Sequence, residues 1–207
     1  MNKIISLRNI SYVINNKIII DNINLDVNRN EIIALRGSNG AGKTTLLKLM
    51  YGLIKPTSGI VTKNYKNDTC TSFIFQNPNF LKATVYENLS HALYCKNIAK
   101  ADRKNKVINL LKQYSLEYLS DKYIYHISGG ELQLVSLMRS LVIEPKIIFY
   151  DEPTNNLDSY NTNLIYDIIK NYINNNTQLI LVSHDDSFLN NLKCINIILK
   201  DGGIVDA

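Results

Sequence analysis

No stretch of this 207-residue chain approaches the run of about 18 apolar residues that a membrane-spanning helix needs. The N-terminus, Met1–Ser6, lacks the apolar core of a secretory signal, so membrane association is expected only through a partner. Cysteine is scarce. Cys70, Cys95 and Cys194 lie far apart, odd in number, with neither a C-x-x-C pair nor a zinc spacing, which argues against a disulfide framework and a structural metal site. They read as reduced, mostly buried thiols of a cytosolic protein. The net charge of +5 is not gathered into any Lys/Arg run, so it gives little reason to expect a nucleic-acid or lipid surface. No internal repeat and no disordered tail is visible. What remains is a chain of ordinary apolar content, long enough for one α/β unit carrying a smaller inserted lobe.

Against these absences one stretch stands out. Gly37-Ser38-Asn39-Gly40-Ala41-Gly42-Lys43-Thr44-Thr45 fits G-x-x-x-x-G-K-[ST], directly after the apolar run Ile32–Leu35 and directly before a helical pattern that stops at Gly52. A strand feeds a tight glycine turn whose backbone N–H groups can converge on an anion, and the helix beginning near Lys43 points its positive end at the same place. Lys43 would reach the outer phosphates of a nucleotide, and the Thr44 hydroxyl would be a Mg²⁺ ligand.

Upstream, residues 4–35 break into β-branched runs at Ile4-Ile5, Ser11–Ile14, Lys17–Ile20, Ile23–Val27 and Glu31–Leu35, with Asn15-Asn16 as a hairpin turn. An antiparallel lobe is expected there. In it, Tyr12 is either an aromatic platform for a base or a cross-strand packing residue. Downstream, Lys55–Gly59 turns into a strand at Ile60-Val61, and the strand Ser72–Gln76 is broken at once by Asn77-Pro78. Gln76 at that strand end would touch a metal-bound water or cap a turn. From Val85 to Leu119 the spacing becomes helical, with no chemistry of its own.

Ser128-Gly129-Gly130-Glu131 then opens another helix, closed by Glu144-Pro145. Ser128 and Glu131 have capping-box spacing, the bland reading. Two glycines in a first turn cost about 1 kcal/mol each relative to Ala, which makes better sense if a phosphate approaches them. The unbroken strand Ile147–Tyr150 ends in Asp151 and Glu152. Asp151 would hold Mg²⁺ through water and Glu152 would orient or deprotonate an attacking water; two solvated acids are the alternative. A turn at Pro153–Asp158 leads to a helix over 162–173. The last core strand, Leu179–Val182, ends at His184, placed to contact a γ-phosphate, whereas His91 and His126 have no such setting. The end of the chain, Ile195–Leu199 and Gly202–Val205, reads as an edge hairpin.

In their order from Tyr12 to His184, these elements resemble the ATP-binding-cassette ATPases over essentially the whole chain. The Ser128-Gly129-Gly130 helix start shortly before the Asp151-Glu152 strand is the specific part, because many unrelated nucleotide-binding proteins share the phosphate loop and the acidic strand end. Three positions depart from the family's usual pattern: Glu131, Leu134 and Tyr150.

The resemblance implies an α/β fold with a P-loop NTPase core and mostly parallel sheet, an N-terminal antiparallel β lobe and an inserted helical lobe over approximately 77–128. Residues 1–207 would form one ATPase domain. It implies ATP and Mg²⁺ held by Tyr12, Gly37, Ser38, Asn39, Gly40, Ala41, Gly42, Lys43, Thr44, Thr45 and Asp151, with Glu152, His184 and Gln76 at the chemistry. Gln76 would also lie near the metal. Ser128, Gly129 and Gly130 would cap the nucleotide of a second, head-to-tail cassette, identical or paired.

The partners would be transmembrane permease subunits, with no direct nucleic-acid contact, at the cytoplasmic face of the membrane. Similarity runs both to importer ATPases, including those for tungstate-like oxyanions, and to the haem-exporter ATPase. The alternative is a soluble cassette acting on ribosomes or DNA, whose second cassette or long coiled-coil insertion is not found here.

Overall fold

The computed structural model describes residues 3–65, 70–173 and 177–206, so Met1 and Asn2 lie outside it. The five N-terminal runs fuse into longer elements. Strands β1 (Lys3–Ile14) and β2 (Lys17–Asn28) form one antiparallel hairpin, and only Glu31–Leu35 stays separate, as β3 (Ile32–Arg36). Asn9 and Asn22, two of the asparagines that break the sequence pattern, mark bulges rather than turns. The register shifts between Leu7 and Ile10, and back between Ile10 and Tyr12, around Asn9 (φ 51°) and Asn22 (φ 46°). Asparagine tolerates this left-handed backbone, so each strand takes one extra residue and the pairing recovers. Asn15 and Asn16, both with positive φ, make the expected two-residue turn. Strand β4 (Ser58–Lys63) pairs with the other edge of β1, giving the order β2-β1-β4.

The second sheet runs β5 (Thr71–Ile74), β6 (Ile147–Asp151), β7 (Gln178–Val182), β3, β8 (Ile195–Lys200), β9 (Gly203–Asp206). All pairs are parallel except β8–β9, and the order leaves β5 and β9 at the two edges. Strands β6 and β7 are buried along their whole length, the reason they read as unbroken apolar runs. Their side chains alternate between two cores. Ala34, Ile148, Tyr150 and Leu179 face the helices, while Ile33, Leu35, Phe149 and Ile180 face α1 (Lys43–Tyr51) and the antiparallel sheet.

On the helical side, α2 (Val85–Cys95) is followed by α3 (Lys100–Gln113), α4 (Gly129–Leu141) and α5 (Ser159–Ile173). Helix α4 ends before Glu144-Pro145, because Glu144 already has a left-handed φ of 53°. Helix α5 starts three residues earlier than its apolar pattern suggests, since the Asp158 carboxylate accepts a hydrogen bond from the Asn161 backbone at 2.8 Å. A further short helix, α6 (Asp186–Leu192), capped by Asp185, separates β7 from β8 and was not expected. The thiols are less buried than expected: Cys95 is exposed, and Cys70 and Cys194 are intermediate. Among the described residues no helix is long and apolar enough to cross a membrane.

Candidate nucleotide site

Strand β3 delivers the chain to a loop in which Gly37, Gly40 and Gly42 all have positive φ, 141°, 82° and 100°. Two of these glycines are also demanded by close approach. A Cβ at Gly37 would run into the Leu199 carbonyl, and one at Gly42 would lie 2.7 Å from Ile20 Cδ1 and 2.8 Å from the Ile19 oxygen. Gly42 is the N-cap of α1 and makes no side-chain cap, so the first N–H groups of that helix are left for an incoming group. Lys43 is only 6% exposed, and its Nζ donates to the Gly37 and Ser38 carbonyls, each at 2.9 Å. Burial lowers its pKa, opposed by the carboxylates of Glu152 and Asp151.

Those carboxylates arrive from β6. Asp151 is the last residue paired with β7, opposite Val182, and Glu152 turns away with φ 52° while its N–H donates to the Val182 carbonyl at 2.9 Å. The Thr44 hydroxyl donates to Asp151 Oδ1 at 2.9 Å. Glu152 Oε1 lies 3.3 Å from Nε2 of His184, just beyond the end of β7. Burial raises the pKa of both acids. Thr44 and the lysines Lys48 and Lys43 counter it at Asp151, whereas at Glu152 His184 counters it and Asp151 adds to it. Two adjacent strand ends thus bring two carboxylates and an imidazole to the loop and to the Thr44 hydroxyl that follows it.

Asn39, Gly40, Gly42, Lys43, Thr44, Thr45, Gln76, Glu152 and His184 line one cavity of about 380 Å³. Lys17 and Ile19 of β2 line it too. Neither was expected, and no local signal marks them, because they reach the loop only when the β1–β2 hairpin folds over Gly42. A second opening, about 450 Å³, continues past Gln76, Glu152 and His184 to Thr154, Asn155, Asn156 and Asp185. A larger cleft of about 550 Å³ between β5, α2 and α4 contains none of the expected residues and gathers no carboxylates.

Two sets of expected residues stand apart from the cavity. Tyr12 sits opposite Ile20 in the β1–β2 ladder, partly buried against the neighbouring core. Ser128, Gly129 and Gly130 form the start of α4. There the Ser128 hydroxyl accepts from the Glu131 N–H at 3.2 Å and the Glu131 carboxylate accepts from the Ser128 N–H at 2.8 Å. Leu134 and Tyr150 are both buried in the helix-side core, and the Tyr150 hydroxyl has no partner among the described residues.

The loop fits a phosphate chain: a Cβ at Gly40 would meet nothing within 4 Å, so that side of the loop is open to a ligand. For a metal, the Thr44 hydroxyl and the Asp151 carboxylate offer hard oxygen donors. Among the described residues no group of three His, Cys, Asp or Glu could cage an ion. This suits Mg²⁺, which takes one or two protein oxygens and completes its shell with water and substrate phosphates.

A family model described as ABC transporter matches residues 20–155. The lipoprotein-releasing system ATP-binding protein LolD of Buchnera aphidicola subsp. Acyrthosiphon pisum is 34% identical over 197 residues, covering 88% of this chain and 85% of that protein. The Fe(3+) ions import ATP-binding protein FbpC of Photobacterium profundum is 31% identical over 208 residues. That match takes in 96% of this chain but spans 59% of the relative's length. Among solved structures, an ATP-binding cassette captured as a dimer in a post-hydrolysis state with ADP and Pi superposes with a TM-score of 0.85. It is 28% identical, over 98% of this chain and 97% of that one. With its phosphate loop, its Asp151-Glu152 strand end and this match, the chain belongs to the ABC transporter family, as an ATP-binding ATPase subunit.

Proposed function

We propose that residues 1–207 act as one ATPase domain, with a helical lobe over about 77–128, in a head-to-tail pair that hydrolyses ATP at two shared sites to drive a separate membrane permease. One observation carries this reading. The cavity collects Lys43, Thr44, Gln76, Glu152 and His184, while the glycine-bearing start of α4 stays outside it with open space at Gly129. One chain thus holds half of a phosphate's ligands, and a second copy would supply the other half. The relative solved as a dimer with ADP and Pi supports the same arrangement.

In this reading the N–H groups of Gly37–Thr45 and the Lys43 ammonium bind the β- and γ-phosphates. Tyr12 stacks on the adenine. Thr44 and Asp151 would hold Mg²⁺, with Gln76 beside it, and the ion would supply positive charge to offset that developing on the phosphates. Glu152 takes a proton from the attacking water onto its carboxylate. The elevated pKa that burial gives this group makes it a better base than a solvated acid. His184, in contact with Glu152, orients it and reaches the γ-phosphate. Ser128, Gly129 and Gly130 of the second chain close over the nucleotide, excluding water other than the nucleophile.

Attachment to the cytoplasmic face of the membrane comes through the permease. Capture of the tagged chain from detergent-solubilised membranes tests this: a multi-span protein should be recovered, whereas recovery of ribosomal RNA in its place would overturn the transport role.

A further inference from the structure

The β1–β2 hairpin is bent so that its tip leans on the phosphate loop. Tyr12 pairs with Ile20 and Val13 with Ile18, so β2 carries one extra residue, Ile19, that has no partner in the ladder. A bulge of this kind bends its strand and sharpens the twist. Here it presses the Ile19 backbone against the loop, its oxygen 2.8 Å from where a Cβ at Gly42 would stand. Lys17, the first residue of β2 after the Asn15-Asn16 turn, is thereby carried to the cavity wall with Asn39, Gly40 and Thr45.

The two lysines of that cavity are differently engaged. Lys43 is buried, donates to the Gly37 and Ser38 carbonyls and lies in the field of Glu152 and Asp151. Lys17 is exposed, and among the described residues no carboxylate forms an ion pair with it. A nucleotide brings several negative charges to a site whose own acids already answer Lys43. Lys17 is the lining cation that no protein anion offsets.

We propose that Lys17 is a nucleotide-binding residue, whose ammonium pairs with the phosphate nearest the base. Its position selects that phosphate: Glu152 and His184 reach the cavity from the strand ends of the other sheet, whereas Lys17 belongs to the hairpin that also carries Tyr12. ATP and ADP share this phosphate, so Lys17 contributes to holding both and does not tell them apart. The assignment rests on the nucleotide reading above and adds to it a contact that the phosphate loop does not supply.

Calorimetry of the full chain with Mg-ADP and with the Mg-bound β,γ-imido analogue of ATP tests it. Lys17→Met should weaken both ligands alike, by about five- to tenfold at low salt, between the worth of an exposed ion pair and that of a buried charge-assisted contact. The loss should shrink to about twofold in 0.5 M salt, where screening acts over a few ångströms. Lys17→Arg should bind within about twofold of the parent, because it restores the charge without restoring the same shape. Lys17→Gln, polar but neutral, should match Lys17→Met and serves if the latter unfolds at lower urea. Unchanged affinity in both neutral variants, a loss that is the same at all salt concentrations, or a loss confined to the triphosphate overturns the proposal. A parent that binds neither ligand overturns the nucleotide reading itself, a result distinct from any of these.

Discussion

The starts of α1 and α4 are both glycine-bearing, yet they are built in opposite ways. At α1 the cap is a left-handed glycine without side-chain help, and its geometry is enforced from behind by the Ile19 carbonyl and the Ile20 side chain. At α4 a reciprocal Ser128–Glu131 box satisfies the helix locally, and Gly129 faces open space. The first start exists only because distant strands press on it; the second holds itself up and turns outward. A binding surface for a chain's own ligand is shaped by its own core, whereas one offered to a ligand held elsewhere must be stable before that ligand arrives.

The contrast can be broken by removing the chemistry that should unite the two. Glu152→Gln cannot accept a proton, so steady-state ATPase should fall by about 10²–10⁴-fold while ATP binding persists. With hydrolysis blocked, ATP but not ADP should accumulate a dimer by light scattering. Parental turnover in this variant would remove Glu152 from the mechanism.

The next largest effect separates the two starts directly. Gly42→Ala forces a Cβ into Ile19 and Ile20 at a φ of 100° and should cost roughly 2–4 kcal/mol in urea unfolding, from strained backbone and overpacking together. Gly129→Ala should do the reverse, stabilising the isolated chain by about 0.5–1 kcal/mol as a helix former replaces glycine in open space. It should nevertheless weaken ATP-driven pairing. Equal losses at both positions would erase the difference between the two helix starts.

The smallest effect concerns Asp151, the acid bonded to Thr44 of α1. Because burial raises the folded pKa of Asp151, its favourable contribution is complete below the unfolded value of 3.8 and is lost as pH rises through the folded value. At pH 7 the nucleotide-free parent therefore carries a penalty that Asp151→Asn removes. The variant should melt a few degrees higher, at about 2–4 °C per kcal/mol for a chain of this size, and the gap should close as pH falls toward 4. A gap that widens in acid would contradict the sign.

What was legible in the sequence follows from how local each feature is. The phosphate loop, the Asp151-Glu152 strand end and His184 lie in short contiguous stretches whose flanking strands announce themselves by apolar runs. The N-terminal strands did not, because asparagine at Asn9 and Asn22 signals a break in the one-dimensional pattern and the bulge only shows once the partner strand is present. Helix α6 is too short to establish a period. Lys17 and Ile19 join the cavity by a closure that no spacing encodes.

The central strand β3 is flanked by β7 and β8, and Leu199 of β8 closes against Gly37. Every one of those neighbours is synthesised after residue 177, so a growing chain carries its phosphate loop through the synthesis of residues 46–177 without the strands that shape it. Ribosome-held intermediates should be blind to nucleotide until residues 178–200 emerge, and ATP can then act as a stabiliser of the assembled sheet rather than a template for it.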